Sequence, residues 1–217
     1  MNLRKHFAYA FFASILMHPL IAKAGDSEEL LKDLAIISTL TGWLITSINR
    51  KNPVEEAIKI EKNSHIFGFS QGSENKNTFN QLYYGKKIKT PIRISRKVEL
   101  HGHWELGIDT WKSSINQSDT PHGEILRAIP IYSLHPTTDP KLSPYMEFGI
   151  GLSYLSSSKI ENTEKSSQFQ FIEHLGAGLY FKQFKIGYRF THISNGGLSL
   201  PNPATDIHSL NISYEGF

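Results

Sequence analysis

Residues 184–194 read Phe-Lys-Ile-Gly-Tyr-Arg-Phe-Thr-His-Ile-Ser. Phe184, Ile186, Tyr188 and Phe190 alternate with Lys185, Gly187, Arg189 and Thr191. Successive side chains of a strand point to opposite faces, so one face is greasy and the other polar or bare. Across the short Lys182-Gln183 turn the same texture runs backwards. Phe169, Phe171, Leu175, Ala177, Leu179 and Phe181 alternate with Gln168, Gln170, His174, Gly176 and Gly178. On the other side, Leu210, Ile212 and Tyr214 alternate with Ser209, Asn211, Ser213 and Glu215.

The period of two continues upstream. Met146, Phe148, Ile150, Leu152 and Tyr154 share one face of a segment, and Val98, Leu100, Trp104, Leu106 and Ile108 share one face of another. A soluble sandwich also alternates, but it must cover its apolar faces, and too little chain remains to do so. Lipid is the cover this pattern fits. The fold class expected is all-β: an eight-stranded antiparallel transmembrane β-barrel over residues 64–217. Its strands are expected near 64–73, 78–89, 96–113, 123–135, 143–156, 167–181, 184–194 and 205–217. An even number suits a closed antiparallel barrel. Eight strands leave an interior filled by side chains rather than a pore. With both barrel ends periplasmic, 114–122, 157–166 and 195–204 become outer loops. Glu99, Glu105, Asp109, Arg127, Glu147 and Arg189 then face inward as a paired network.

Residues 1–24 read as an export signal. Arg4 and Lys5 precede the apolar run Phe7 to Met17, and Ala22-Lys23-Ala24 fits a small-x-small cleavage site. Removing Arg4, Lys5 and Lys23 takes the formal charge from +3 to zero, so nucleic acid is not expected as a partner. There is no cysteine, which excludes disulfides, thiol catalysis and Cys metal sites. Residues 25–63 read as an N-terminal extension. Leu30, Leu34, Ile37, Leu40, Leu44 and Ile48 recur at roughly helical spacing behind Asp26, which predicts a short helix. It could pack on the barrel, lie on the membrane surface, or give way to an extra strand pair. Phe217 resembles the terminal aromatic signal of barrel assembly.

The chemistry sits where residues 184–194 end. His192 and Ser194 keep the parity of the greasy face, about 6.6 Å apart along the strand. Asp206 shares parity with Leu210 and Ile212 on the next strand, so it can stand across from His192. Ser194 is a weak nucleophile until His192 takes its proton, and His192 needs a carboxylate to hold its tautomer. Asn195 and the backbone N–H of Gly196 and Gly197 are the nearest oxyanion donors. Asn202, between Pro201 and Pro203, is placed to brace the loop. His-x-Ser alone is common, and a polar rim where strands leave the bilayer is the bland alternative. His101 and His103 beside Glu99 and Glu105 suit interior hydrogen bonding better than metal binding. No metal and no cofactor is expected.

Tyr188-Arg-Phe-Thr-His-Ile-Ser-Asn-Gly-Gly197, followed by Pro201-Asn202-Pro203 and Asp206, resembles the lipid A 3-O-deacylase family. The resemblance covers roughly 64–217 and is sharpest over 186–206. It implies His192 as base, Ser194 as nucleophile, Asp206 as acid and Asn195 as oxyanion helper. It implies hydrolysis of the 3-linked acyl ester of lipid A with release of a 3-hydroxy fatty acid. Two residues depart from the pattern: Asp206 replaces the usual Glu, and Ala204 replaces the usual Gly after Pro-Asn-Pro. The expected partners are lipid A or lipopolysaccharide, the barrel assembly machinery and, in a homodimer, a second copy of the chain. The expected location is the outer membrane of a Gram-negative bacterium, with the active site facing the outer leaflet. A non-enzymatic adhesion or integrity barrel and a phospholipase-like barrel are the alternatives.

Overall fold

The computed structural model describes residues 60–88, 92–93, 95–115, 118–137 and 142–216. The export signal at 1–24, the helix expected within 25–63 and Phe217 lie outside the described residues. Eight long strands form the body. They are β1 (His65–Glu74), β2 (Asn77–Lys87), β3 (Val98–Ser113), β4 (His122–Pro136), β5 (Ser143–Leu155), β6 (Phe169–Phe181), β7 (Phe184–Ser194) and β8 (Thr205–Gly216). Each pairs antiparallel with its chain neighbours, and β8 pairs with β1, so the sheet closes. The strands match those expected from the alternation to within two residues at nearly every end.

Closure has a measurable pitch. Phe184 pairs with Tyr214, then the path runs through Phe67, Tyr84, Leu106, Ala128, Leu152 and Phe171. Phe171 pairs with Ser194, so one circuit returns to β7 ten residues further along. Eight strands with that stagger tilt by about 40° from the barrel axis. Leu82, Leu106, Leu126, Met146, Leu175, Ile186 and Leu210 are among the exposed apolar residues of the outer wall. Such a continuous apolar wall belongs against hydrocarbon.

The interior is layered. The polar layer holds Glu105, Asp109, Arg127, Glu147 and Arg189 of the expected network, with Lys185 added, while Glu99 pairs with His101 at 3.6 Å. Glu105 accepts from Arg127 at 3.0 Å and from both terminal nitrogens of Arg189 at 3.1 and 3.0 Å. Arg127 Nε donates to Asp109 at 3.0 Å, and Arg189 Nε donates to Glu147 at 2.9 Å. Lys185 also donates to Glu147. The Tyr83 ring lies under both guanidinium groups, 5.5 and 5.2 Å from its centre. His103 bonds Glu105 at 2.9 Å, and no metal-binding cluster occurs among the described residues. Gly187 faces this layer because a Cβ there would lie 2.3 Å from the Tyr145 hydroxyl.

The second layer departs from a wholly polar interior. Phe79, Trp111, Ile125, Leu155, Ile160, Ile172, Ile193 and Ile207 form a buried apolar cluster. The sequence pattern marks these residues only as interruptions of a polar face. Above them the outer loops are knitted together. Lys159–Ile160 and Thr163–Glu164 make a small hairpin inside one loop. Glu161 accepts from Asn77 at 3.1 Å and from Ser113 at 3.2 Å, and Thr120 bridges to Glu161.

Arg189 is fully buried and holds two carboxylates. Arg189→Met leaves Glu105 and Glu147 short of compensation, and is expected to cost about 3–5 kcal/mol. Urea unfolding of the detergent-folded barrel measures it; a loss under about 1 kcal/mol would mean the network does not hold the barrel.

Candidate active site

Two isoleucines position the site. Ile193 and Ile207 are both 0% exposed and point into the apolar cluster. Because strand side chains alternate, burying Ile193 turns His192 and Ser194 to the opposite face, and burying Ile207 does the same for Asp206. The antiparallel register then sets His192 directly beside Asp206. His192 Nδ1 donates to Asp206 Oδ1 at 2.7 Å, a charge-assisted length. The two side chains are 23% and 48% exposed. The Asp206 backbone N–H donates to Glu74 Oε1 at 2.8 Å, tying β8 to β1 at this level.

Ser194 is buried, and its register partner on β6 is Phe171. It is the step at which the circuit of outer-wall residues begun at Phe184 turns polar. On β6 the residue opposite His192 is Glu173, so His192 stands between acidic residues on both neighbouring strands.

Beyond Ser194 the chain turns through Gly196 and Gly197, with φ of 65° and 77°. Side chains other than glycine rarely adopt that left-handed region. The Asn195 backbone N–H donates to Asn202 Oδ1 at 2.9 Å, closing the loop across its base. Asn195 Nδ2 donates to the Ser199 carbonyl at 2.9 Å and the Lys165 carbonyl at 3.2 Å. The Asn195 amide thus bonds within the loop and to Lys165.

All of these residues except Glu74 fall within 81–215, the stretch that matches the family model described as lipid A 3-O-deacylase (PagL). That stretch is well over half the chain. The chain belongs to the PagL family. Lipid A deacylase PagL of Bordetella bronchiseptica is 40% identical over 72 residues, which are 33% of this chain and 40% of the relative. Lipid A deacylase PagL of Pseudomonas aeruginosa is 28% identical over 112 residues, 51% of this chain and 62% of the relative. The chain therefore covers less than two thirds of either relative's length. The crystal structure of the outer membrane enzyme PagL superposes with a TM-score of 0.62 at 22% identity, over 69% of this chain and 98% of that one. That likeness concerns the fold.

This PagL-family chain adds a residue that spacing does not find. Lys165 lies in the outer loop before β6, and its side chain is buried. Its Nζ donates to the Pro203 carbonyl at 2.9 Å and to the Thr205 hydroxyl, while its own carbonyl accepts from Asn195. One residue so clasps both ends of the 195–204 loop. The contacts span 38 and 40 positions, beyond any local motif. Burial pushes the Lys165 amine down from 10.5 to about 8, against the pull of Glu74 and Asp206.

A depressed amine makes folding less favourable below its folded value, where the unfolded chain carries the charge more easily. Between about 8 and 10.5 the unfolded chain binds the extra proton, so stability climbs with pH. Lys165→Met is expected to remove that climb. The difference in urea midpoint between wild type and variant, followed from pH 7 to 10.5, measures it; parallel curves would contradict the assignment.

Proposed function

We propose that this chain is an outer-membrane esterase that hydrolyses the 3-O-linked acyl ester of lipid A and releases a 3-hydroxy fatty acid. The observation that carries the reading is the 2.7 Å bond between His192 and Asp206 on the outer wall, two residues from Ser194. A structural barrel has no use for a histidine–carboxylate pair on the face it turns to lipid, where polar groups are costly. Membership of the PagL family supports the substrate, and so do the names of the relatives.

In this reading Asp206 fixes the His192 tautomer with Nδ1–H toward the carboxylate, leaving Nε2 as the base. Nε2 takes the Ser194 proton as Oγ attacks the acyl carbonyl. The tetrahedral oxyanion is held by the Gly196 N–H, with Asn195 and Asn202 bracing the loop that presents it. Collapse expels the sugar oxygen, which takes the proton from His192, and leaves the acyl group on Ser194. Water, activated by the same histidine, then frees the fatty acid and restores Ser194. Asp206 stabilises the imidazolium formed in each half. No step calls for a metal. Residues 184–194 span about 30 Å of tilted strand from the Lys182-Gln183 turn, so Ser194 sits at the outer edge of the hydrocarbon. An ester joining an acyl chain to a membrane-embedded sugar lies at a similar depth, so substrate is attacked without leaving the outer leaflet. The barrel assembly machinery is the proposed insertion partner.

Mass spectrometry of lipid A from cells with and without the protein tests the reaction. Wild type is expected to remove one 3-hydroxyacyl unit, and Ser194→Ala to remove none while still folding. Full activity of Ser194→Ala would dismiss Ser194 as the nucleophile. Phospholipid extracts run alongside separate a phospholipase-like barrel, which would release acyl chains there instead.

Asp206→Asn keeps the shape but favours the wrong tautomer, and is expected to lower kcat by about 10⁴. Asp206→Glu is expected to retain activity, since a carboxylate one methylene longer still reaches Nδ1. Equal rates for the Asn and Glu variants would show that Asp206 does not orient the histidine.

A further inference from the structure

The outer wall is not uniform around the barrel at the level of Ser194. Each cross-strand step from β7 through β8, β1 and β2 raises the level by just over one residue, because eight steps gain ten. Gln71, Ser73 and His208 therefore stand about level with His192 and Ser194. Stepping the other way lowers the level, and the wall residues level with Ser194 there are Phe171, Leu152, Leu126 and Tyr154. If polarity simply marked the upper limit of hydrocarbon, it would begin at one height all round. Instead the flank of His192 toward β8, β1 and β2 is polar, whereas the flank toward β6, β5 and β4 is apolar apart from Glu173, which stands directly beside His192.

The polar flank is concave. Gln71, Gly72, Ser73, Thr78, Tyr188, His208, Ser209 and Leu210 line a groove of about 340 Å³, at the lower end of volumes that take small ligands. Register orders its floor. Phe190, His208, Ser73, Thr78 and Lys112 follow one another across five strands, with Leu210, Gln71 and Asn80 in the next row toward the periplasm. His208 is two residues from Asp206 on the same face of β8, so the groove opens about 6.6 Å from the candidate triad. Its groups are held but not used up. Gln71 Nε2 donates to Asn80 Oδ1 at 3.1 Å, which leaves the Gln71 carbonyl oxygen as an acceptor. The Tyr188 hydroxyl engages His208 Nδ1, which leaves Nε2 to face a ligand. The Ser73 and Thr78 hydroxyls bond to no described side chain. Lys112 ends the row with a cation.

We propose that this groove is the seat of the substrate's head group: a hydroxyl-bearing sugar ring whose anionic substituent lies toward Lys112. The proposal rests on the reading of the chain as a lipid A esterase, and it names the residues that recognise the sugar rather than the acyl chain. Hydroxyls, an amide oxygen and an imidazole nitrogen offer both donors and acceptors, as a polyhydroxylated ring requires. The apolar flank, with Phe171, Leu152 and Tyr154, takes the acyl chain. Head and tail of one lipid so lie on opposite sides of Ser194, with the ester between them.

The test compares two substrates in the same detergent micelles: purified lipid A and a p-nitrophenyl acyl ester, which has no sugar. The double variant Ser73→Ala, Thr78→Val removes two hydroxyls without adding bulk on an outward surface, so the barrel still folds. The ratio of kcat/KM for lipid A to that for the simple ester is expected to fall about tenfold, the loss of two hydrogen bonds. Thr78→Ser, which keeps its hydroxyl, is expected to hold most of the wild-type ratio. Lys112→Gln is expected to raise KM for lipid A and to flatten its dependence on salt. A ratio that stays within about twofold of wild type in the double variant, with lipid A still cleaved, overturns the groove alone. A wild-type protein that cleaves the simple ester and never lipid A overturns the proposed function, and the groove assignment falls with it.

Discussion

A wall that faces lipid has no water to satisfy its backbone, so each N–H and C=O must find a partner within the wall. For β-strands that requirement is met only by closing the sheet, and here β8 pairs with β1 to close it. The rest follows from how the closure is made. The stagger of ten residues over eight strands sets the tilt. It also decides which side chains are neighbours across strands and which stand at one height. His192 meets Asp206 because of that register. The polar groove stands level with Ser194 for the same reason.

Closure leaves a narrow interior that must be filled, and the chain fills it in two chemically distinct layers. The charged layer binds Glu105, Glu147, Asp109, Arg127, Arg189 and Lys185 into one network. Buried charges are tolerable only when paired and hydrogen-bonded, and here each of the three carboxylates has at least one cationic partner. The apolar layer does a different job. Ile193 and Ile207 lock the outer ends of β7 and β8 in phase, and a slip of one residue would turn His192, Ser194 and Asp206 inward. The geometry of the candidate site on the outside is thus maintained by packing on the inside.

Strands ending in glycine turns would leave the 195–204 loop poorly held, and the structure compensates from a distance. Lys165, Asn195 and Asn202 bind the base of the loop, and Ser166 adds a bond to the Pro201 carbonyl at 2.7 Å. The loop that carries the candidate oxyanion donor is therefore part of a network with its neighbour. Preorganisation of this kind matters because an oxyanion donor acts only when it already points at the place where charge develops.

Much of this was legible in the residues themselves. Alternation is a local property with a period of two, so the strands, their outer and inner faces and the candidate His192, Ser194 and Asp206 could all be read from one chain. The charged interior members were legible for the same reason, because Arg189 and Glu147 stand on the polar faces of their strands. What alternation does not contain is the relation between strands far apart. The path that leads from Phe184 round to Ser194, the clasp of Lys165 on Pro203 and Thr205, and the inward isoleucine cluster depend on register and stagger. So does the gathering of Gln71, Ser73, Thr78 and His208 into one groove, since β1 and β8 lie far apart in the chain and meet only on closure. The sequence by itself determined which face each residue takes; the closed, staggered barrel decided which residues share a height and a neighbour, because that is set by hydrogen bonds between strands and not by any property within one.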